Sequence, residues 1–117
     1  MKRTNDHTKT LESLLAAMNH LRNLDPEMSL STALVFIHVI LRKDFGITAG
    51  ELSETLALAN SGPRRHMDLL SKRGRGGKPG LNLCHEEPDE EDRRSKRFLP
   101  TVRGRRVAEA MAADLKK

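Results

Sequence analysis

The sequence predicts one small domain that is mainly α-helical and contains a single β-hairpin. Three observations support this fold class. Apolar residues recur at helical spacing over most of the chain, one short segment alternates apolar and polar residues, and 117 residues leave room for one ordinary core. Residues 1–9 are expected to form a flexible N-terminus, and residues 10–117 are expected to form the domain.

Two helices are predicted before residue 47. In the first one, leucines and a methionine repeat at i, i+3, i+4 and i+7, and Asp25-Pro26 ends it because proline cannot continue a helix. In the second one, between Met28 and Gly46, apolar residues cover nearly every face. A helix of this kind is usually buried, so we expect it at the centre of the fold.

Residues 48–73 are predicted to form two short helices joined by a tight turn. Thr48 followed by Glu51 is a capping-box pattern, which marks the start of the first of these helices. Pro63 fits the first turn of the second helix, where proline is tolerated. The segment therefore predicts a helix-turn-helix.

The second helix of this pair carries a basic face. Met67 and Leu70 mark its buried direction, and at about 100° per residue Arg65 and Lys72 point roughly 180–200° away from it. Exposed basic residues are most often a solvated helix face. After the turn of a helix-turn-helix, the same placement is typical of a helix that contacts nucleic acid.

A β-hairpin is predicted at residues 80–99, after a glycine-rich segment that does not favour helix. Apolar and polar residues alternate at 81–85, a second strand is expected at 95–99, and an acidic run around Pro88 would form the tip. Residues 101–116 are expected to form the last helix. A helix-turn-helix followed by such a hairpin makes a winged helix-turn-helix, with the hairpin as its wing.

The net charge favours a polyanionic partner. Lys and Arg total 21 against 16 Asp and Glu, which gives +5 and an isoelectric point near 9.8. Residues 61–106 carry a net +6, whereas residues 1–60 carry −1. The absence of Trp and Tyr, with only three Phe, argues against single-strand binders that stack bases on aromatic rings. Nucleic acid therefore leads the candidate partners, and with the predicted helix-turn-helix the expected partner is double-stranded DNA.

Several other classes of protein are disfavoured. The longest apolar run, 33–41, is much shorter than the roughly 20 residues that span a bilayer, and no signal core follows the N-terminus. The single cysteine, Cys84, excludes an internal disulfide, and a cytoplasmic location fits best. Cys84 and His85 lack further ligands at metal-site spacing, and no catalytic signature is present. We therefore expect no metal, no cofactor and no enzymatic activity.

Several segments carry a family resemblance. They are Ile47-Thr48-Ala49-Gly50-Glu51-Leu52-Ser53-Glu54, Arg65-His66-Met67-Asp68-Leu69-Leu70 and Asp92-Arg93-Arg94-Ser95-Lys96-Arg97, followed by Thr101 and Gly104. With the order of elements, they make residues 28–106 resemble the MarR family of winged-helix transcription regulators. The family signature is Asp-x-Arg in the wing, then a Thr and a Gly at the last helix, and Asp92, Arg94, Thr101 and Gly104 hold these places. The resemblance implies a homodimer on a pseudo-palindromic DNA site, with the second helix in the major groove and a wing arginine in the minor groove.

The expected DNA-binding residues lie in the helix-turn-helix, the glycine-rich segment and the wing. They are Ser61, Arg64, Arg65, Lys72, Arg75, Lys78, Arg93, Arg94, Lys96 and Arg97. Arg65 is expected to bind a guanine edge in a bidentate manner, while Ser61 and Arg64 are expected to hold phosphates. Asp92 would orient Arg94 by a charge-assisted hydrogen bond, or form only a weak exposed ion pair.

The predicted function is a sequence-preferring, DNA-binding transcriptional regulator that acts as a homodimer. The apolar positions expected to be shared between the two chains are Leu14, Met18, Met111 and Leu115 on the terminal helices. The alternative is a protein-interaction module that keeps the same scaffold and binds a partner protein through the acidic wing tip, residues 86–92.

Overall fold

A computed structural model describes residues 6–57, 62–74, 76–92 and 95–116. The described part contains five helices and three short strands. In chain order they are α1 (Asp6–Leu24), α2 (Leu30–Arg42), β1 (Ile47–Thr48), α3 (Ala49–Leu56), α4 (Gly62–Leu70), β2 (Cys84–Pro88), β3 (Lys96–Pro100) and α5 (Val102–Leu115). Helices α3 and α4 with the β2–β3 hairpin form the winged helix-turn-helix that the sequence predicts.

Every helix and the sheet contribute to one hydrophobic core. Its buried residues are Ala17, Leu21, Val35, Phe36, Val39, Ile47, Leu52, Met67, Leu70, Leu83, Cys84, Phe98 and Met111. Met111 therefore packs inside its own chain, which leaves little of its side chain for the dimer interface in which it is predicted. Cys84 is a buried, free thiol, and burial raises its pKa to about 12.

Helix α2 is central, but only one of its faces is buried. Val35, Phe36 and Val39 are fully covered. Three leucines on the outer face are exposed, namely Leu30, Leu34 and Leu41. The expectation that this helix is buried on every face was wrong, because no described element packs over that side. The helix also ends at Arg42, before the predicted Gly46.

The three strands form one antiparallel sheet in the order β1-β3-β2. Cys84 lies opposite Pro100, and Ile47 lies opposite Phe98. The predicted hairpin is confirmed, but its first strand begins at Cys84 instead of residue 81. Strand β1 has only two residues, which is too short for a recognisable alternation, and the sequence did not predict it.

The segment before β2 is bonded to the end of α4. The backbone N–H groups of Leu81 and Leu83 donate to the carbonyls of Leu69 and Leu70, at 3.0 and 2.7 Å. This is why residues 81–83 are not in the strand. Gly80 allows the contact, since an added Cβ there would lie 1.7 Å from the carbonyl oxygen of Ser71. The wing is thus anchored directly to the helix-turn-helix.

The terminal helices α1 and α5 pack against each other, and His20 Nε2 lies 2.7 Å from Asp114 Oδ2 between them. Helix α1 begins at Asp6, so the boundary predicted at residue 9 falls inside a helix. None of the described helices is long and apolar enough to cross a membrane.

Candidate nucleic-acid interface

The outward face of α4 carries an unpaired arginine. Pro63, Met67 and Leu70 are buried on the inner side of the helix, and Arg65 is exposed on the other side. Within the described residues Arg65 has no ion-pair or hydrogen-bond partner. Lys72 follows the helix and is also exposed. The exposure of Arg65 is consistent with its predicted orientation, and Arg65 is available to an external partner. Lys72 lies beyond the end of α4 at Leu70, so the orientation predicted for it from helical spacing does not apply.

The neighbouring Arg64 is held by the wing. Its guanidinium group forms an ion pair with Glu86 on β2, lies 3.4 Å from Asp68 Oδ1, and sits 5.9 Å from the centre of the Phe98 ring. Partial burial alone would lower the pKa of Arg64, but the hydrogen bond and charge of Glu86, together with Asp68, raise it. A phosphate at Arg64 must therefore compete with Glu86.

His66 faces the opposite side of α4, against the start of α2. Its Nδ1 lies 2.8 Å from Oγ1 of Thr32, a residue that is only 1% exposed. Desolvation lowers the pKa of His66, and the positive charge of Arg65 lowers it further, so the folded environment favours the neutral ring. His66 was absent from the predicted site. Helical spacing places it beside Arg65, but no sequence pattern reveals its partner on α2.

Helix α3 is fixed by the predicted capping box. The Thr48 backbone N–H donates to Glu51 Oε1 at 2.9 Å, and the Glu51 N–H donates to Thr48 Oγ1 at 3.2 Å. Arg42 Nη2 adds an ion pair to Glu51 Oε2 at 2.7 Å. The hydrogen bond from Thr48 and the interaction with Arg42 lower the pKa of Glu51. The helix-turn-helix is thereby tied to the end of α2.

The basic residues of the wing differ in their availability. Lys78 in the glycine-rich segment and Lys96 on β3 are exposed, as a DNA contact requires. Arg97 is less free, because its Nη1 donates to the carbonyl of Phe45 at 2.8 Å. The other predicted DNA-binding residues, Ser61, Arg75, Arg93 and Arg94, lie outside the described residues. The same holds for the Arg94 partner predicted for Asp92.

A groove of about 430 Å³ separates α3 from the wing. Arg64 and Lys96 line it together with Thr48 and Phe98. Of its two basic side chains, Arg64 lies on α4 and Lys96 lies on the wing, which are the two parts that a winged helix places against a DNA duplex.

The acidic run divides into two parts. Glu86 turns inward to Arg64, whereas Glu87, Glu90 and Glu91 are exposed. In the part of the chain that the structure describes, no three His, Cys, Asp or Glu side chains are grouped as metal ligands. One carboxylate of the run therefore belongs to the helix-wing contact, whereas the three exposed glutamates face solvent.

A second exposed surface lies on the terminal helices. On α1 the apolar side chains Leu11, Leu14, Leu15 and Met18 are 42–62% exposed, and we call them the α1 apolar face. On α5, Leu115 is 51% exposed. Three of the four predicted interface residues are therefore accessible to a partner, and the fourth is the buried Met111.

Solved structures share this arrangement. A Staphylococcus aureus MepR–DNA complex superposes with a TM-score of 0.73 at 15% sequence identity, covering 94% of this chain and 81% of that one. A transcriptional regulator from Thermotoga maritima gives 0.69 at 20% identity, with 91% and 66% covered. A MarR transcriptional regulator from Methanosarcina mazei gives 0.65 at 15% identity, with 94% and 70% covered.

No family model and no curated protein matches the sequence significantly. The structural likeness nevertheless shows the fold, which is the winged helix of MarR-type transcriptional regulators.

Proposed function

We propose that this protein is a transcriptional regulator that binds double-stranded DNA with a sequence preference. The observation that carries the proposal is the exposed Arg65 on the outward face of α4, opposite the buried Met67 and Leu70 and without a polar partner among the described residues. Support comes from MepR, which has the same fold and is solved in complex with DNA. The neighbours are transcriptional regulators, so the alternative of a protein-interaction module is not favoured.

In the proposed complex, α4 enters the major groove. Arg65 donates two hydrogen bonds to a guanine edge, a contact that contributes roughly 1–3 kcal/mol of discrimination between bases. Lys72, Lys78 and Lys96 hold phosphates, which adds affinity without sequence preference. The role is binding and not catalysis, and the free thiol of Cys84 is compatible with a reducing cytoplasm.

We further propose that the protein binds DNA as a homodimer. The α1 apolar face and Leu115 expose large apolar side chains in water, where they are costly unless a partner covers them. A symmetric pair would present two α4 helices to the two halves of a pseudo-palindromic site.

The DNA proposal is tested by selecting bound duplexes and measuring their affinity over a range of salt concentrations. The logarithm of the affinity should fall linearly with the logarithm of the salt concentration. Arg65→Ala should lower affinity for the selected site more than for random duplex, whereas Lys78→Ala should weaken both equally. Arg22→Ala on α1, with the same change of charge, should alter neither. No binding of any duplex at low salt would refute the proposal.

The dimer proposal is tested by sedimentation at tens of micromolar. The unaltered protein should sediment as a dimer, and Leu14→Lys combined with Met18→Lys should give a monomer that remains folded. A monomeric mass for the unaltered protein would contradict the proposal.

A further inference from the structure

A chain of side-chain hydrogen bonds links the start of α2 to α4. Ser29 caps α2, and its Oγ accepts from the backbone N–H of Thr32 at 3.1 Å. The same Oγ lies 3.0 Å from Thr32 Oγ1, which in turn lies 2.8 Å from His66 Nδ1. Thr32 is the buried member of this chain, since only 1% of it is exposed. Its hydroxyl group therefore has no water to bind and must be satisfied by these two neighbours.

Each link of this chain can be formed with either atom as the donor. In the direction that the proposal below takes, Ser29 Oγ donates to Thr32 Oγ1, and Thr32 Oγ1 donates to an unprotonated His66 Nδ1. A neutral imidazole carries one hydrogen, which then lies on Nε2. In this arrangement the Thr32 hydroxyl group selects the tautomer of His66.

The remaining ring nitrogen, Nε2, has no hydrogen-bond partner among the described residues. His66 is partly exposed and immediately follows Arg65, the residue that points outward from α4. Among the described residues, Thr32 is the hydrogen-bond partner of His66, and it uses Nδ1. When α4 lies in the groove, the residues on its flanks face the sugar-phosphate backbones on either side. In such a complex, a donor on this flank would face a phosphate oxygen.

We propose that His66 contacts DNA by donating its Nε2–H to a phosphate oxygen, and that Thr32 is the positioning residue that fixes the ring's tautomer and orientation. The proposal rests on the DNA-binding function proposed above and adds a contact residue to it. The contact is neutral, unlike those of the lysines and Arg65. It supplies a hydrogen bond but releases no counterion from the duplex.

Substitutions at His66 test the contact itself. Affinity for one selected duplex is measured at pH 7.5 by fluorescence anisotropy. His66→Ala should weaken binding about 3- to 10-fold, the effect of one lost hydrogen bond. Glutamine carries an amide nitrogen near the Nε2 position, so His66→Gln should stay within about 2-fold of the unaltered protein. Asparagine places its amide nearer the Nδ1 position, so His66→Asn should behave like alanine.

Substitutions at Thr32 test the positioning. Thr32→Val removes the hydroxyl group at nearly constant volume and should weaken binding about as His66→Ala does, whereas Thr32→Ser should retain affinity. The double variant Thr32→Val/His66→Ala should lose no more than His66→Ala alone, because the two residues act through one contact. Thermal unfolding of each variant checks that the proteins are folded at the assay temperature.

Two measurements distinguish this contact from a purely structural role. The salt dependence of binding should keep its slope in all His66 variants, since a neutral donor releases no counterion, whereas Lys78→Ala should reduce the slope by about one. In the free protein, ¹⁵N NMR should show the His66 proton on Nε2, a readout that does not require the Thr32 variants to fold.

The outcomes distinguish the proposed His66 contact from the DNA-binding function on which it rests. If the unaltered protein binds no duplex, both are refuted. If it binds and His66→Ala binds equally well, DNA binding stands and the His66 contact is refuted. A loss in His66→Gln as large as in His66→Ala, or a proton found on Nδ1, would also refute the contact.

Discussion

The two flanks of α4 are held by opposite kinds of interaction. On the wing flank, the charged Arg64 pairs with Glu86 of β2 and with Asp68. On the α2 flank, the neutral His66 is bonded to Thr32. The same helix is thus positioned by an ion pair on one side and by a hydrogen bond on the other. Salt and substitution should therefore affect the two sides differently.

The two flanks also differ in their solvent exposure, which increases the difference between the ion pair and the hydrogen bond. The Arg64 side chain is 52% exposed, so water and dissolved ions weaken its attraction to Glu86. Thr32 is buried, where an unsatisfied hydroxyl group costs the full desolvation penalty. On the wing flank, a phosphate can therefore displace Glu86 from Arg64. On the α2 flank, the hydrogen bond between Thr32 and His66 has to persist for His66 to make its proposed DNA contact.

The largest expected effect is on the reactivity of Cys84, which begins β2 and lies on the same face of the strand as Glu86. Its pKa is raised from 9.0 to about 12, so near pH 8 the folded protein holds about a thousand-fold less thiolate than the unfolded chain. Labelling with a chromogenic disulfide should be slower in the native protein by at least that factor. Glu86→Gln should accelerate it by loosening the wing flank, and Thr32→Val should not. Equal acceleration by both variants would show that the two flanks open together.

The next largest effect is on DNA affinity. Glu86→Gln removes a negative charge and releases Arg64 for a phosphate, so binding to all duplexes should strengthen several-fold. The slope of log affinity against log salt should become steeper by about one. Glu87→Gln is the matched control: it lies on the same strand and is exposed, but no contact with Arg64 is observed. It should strengthen binding less and leave the slope nearly unchanged. Equal effects of both variants would mean that Arg64 is not masked.

The features that the sequence predicts correctly are local ones. The capping box of Thr48 and Glu51, the place of Pro63 in the first turn, and the buried positions Met67 and Leu70 all follow from spacing within a few residues. These features are enough to predict the helix-turn-helix and the direction of its outward face.

The two flanking contacts depend on how distant elements pack. His66 and Thr32 are 34 positions apart, and only the crossing of α2 and α4 brings them together. Helical spacing also does not predict whether an apolar side chain is buried by another element. Met111 and Leu115 occupy one stripe of α5, yet the first is 8% exposed and the second is 51% exposed. Periodicity predicts the apolar stripe, but the packing of α1 against α5 determines which residues of the stripe are buried.

A smaller effect concerns stability and pH. The folded-state pKa of His66 is lowered by desolvation and by Arg65, so the unfolded chain takes up a proton at a higher pH than the folded protein does. The contribution of His66 to stability is therefore complete above about pH 6.5 and is lost as the pH falls through the lowered folded value. Urea unfolding at several pH values should show this loss in the unaltered protein and its absence in His66→Gln. Identical pH profiles would mean that the folded environment does not disfavour the charged ring.

The smallest expected effect is the coupling across the wing flank. A double-mutant cycle with Arg64→Met and Glu86→Gln should give about 0.2–1 kcal/mol between the two side chains at low salt, the range for partly exposed ion pairs. The coupling should fall further in 1 M NaCl, where the screening length is only about 3 Å. The stability cost of Thr32→Val should not change with salt, because a buried neutral hydrogen bond is not screened. A coupling that persists in 1 M NaCl would show that the wing flank is shielded from solvent like the α2 flank, and a phosphate could not then displace Glu86.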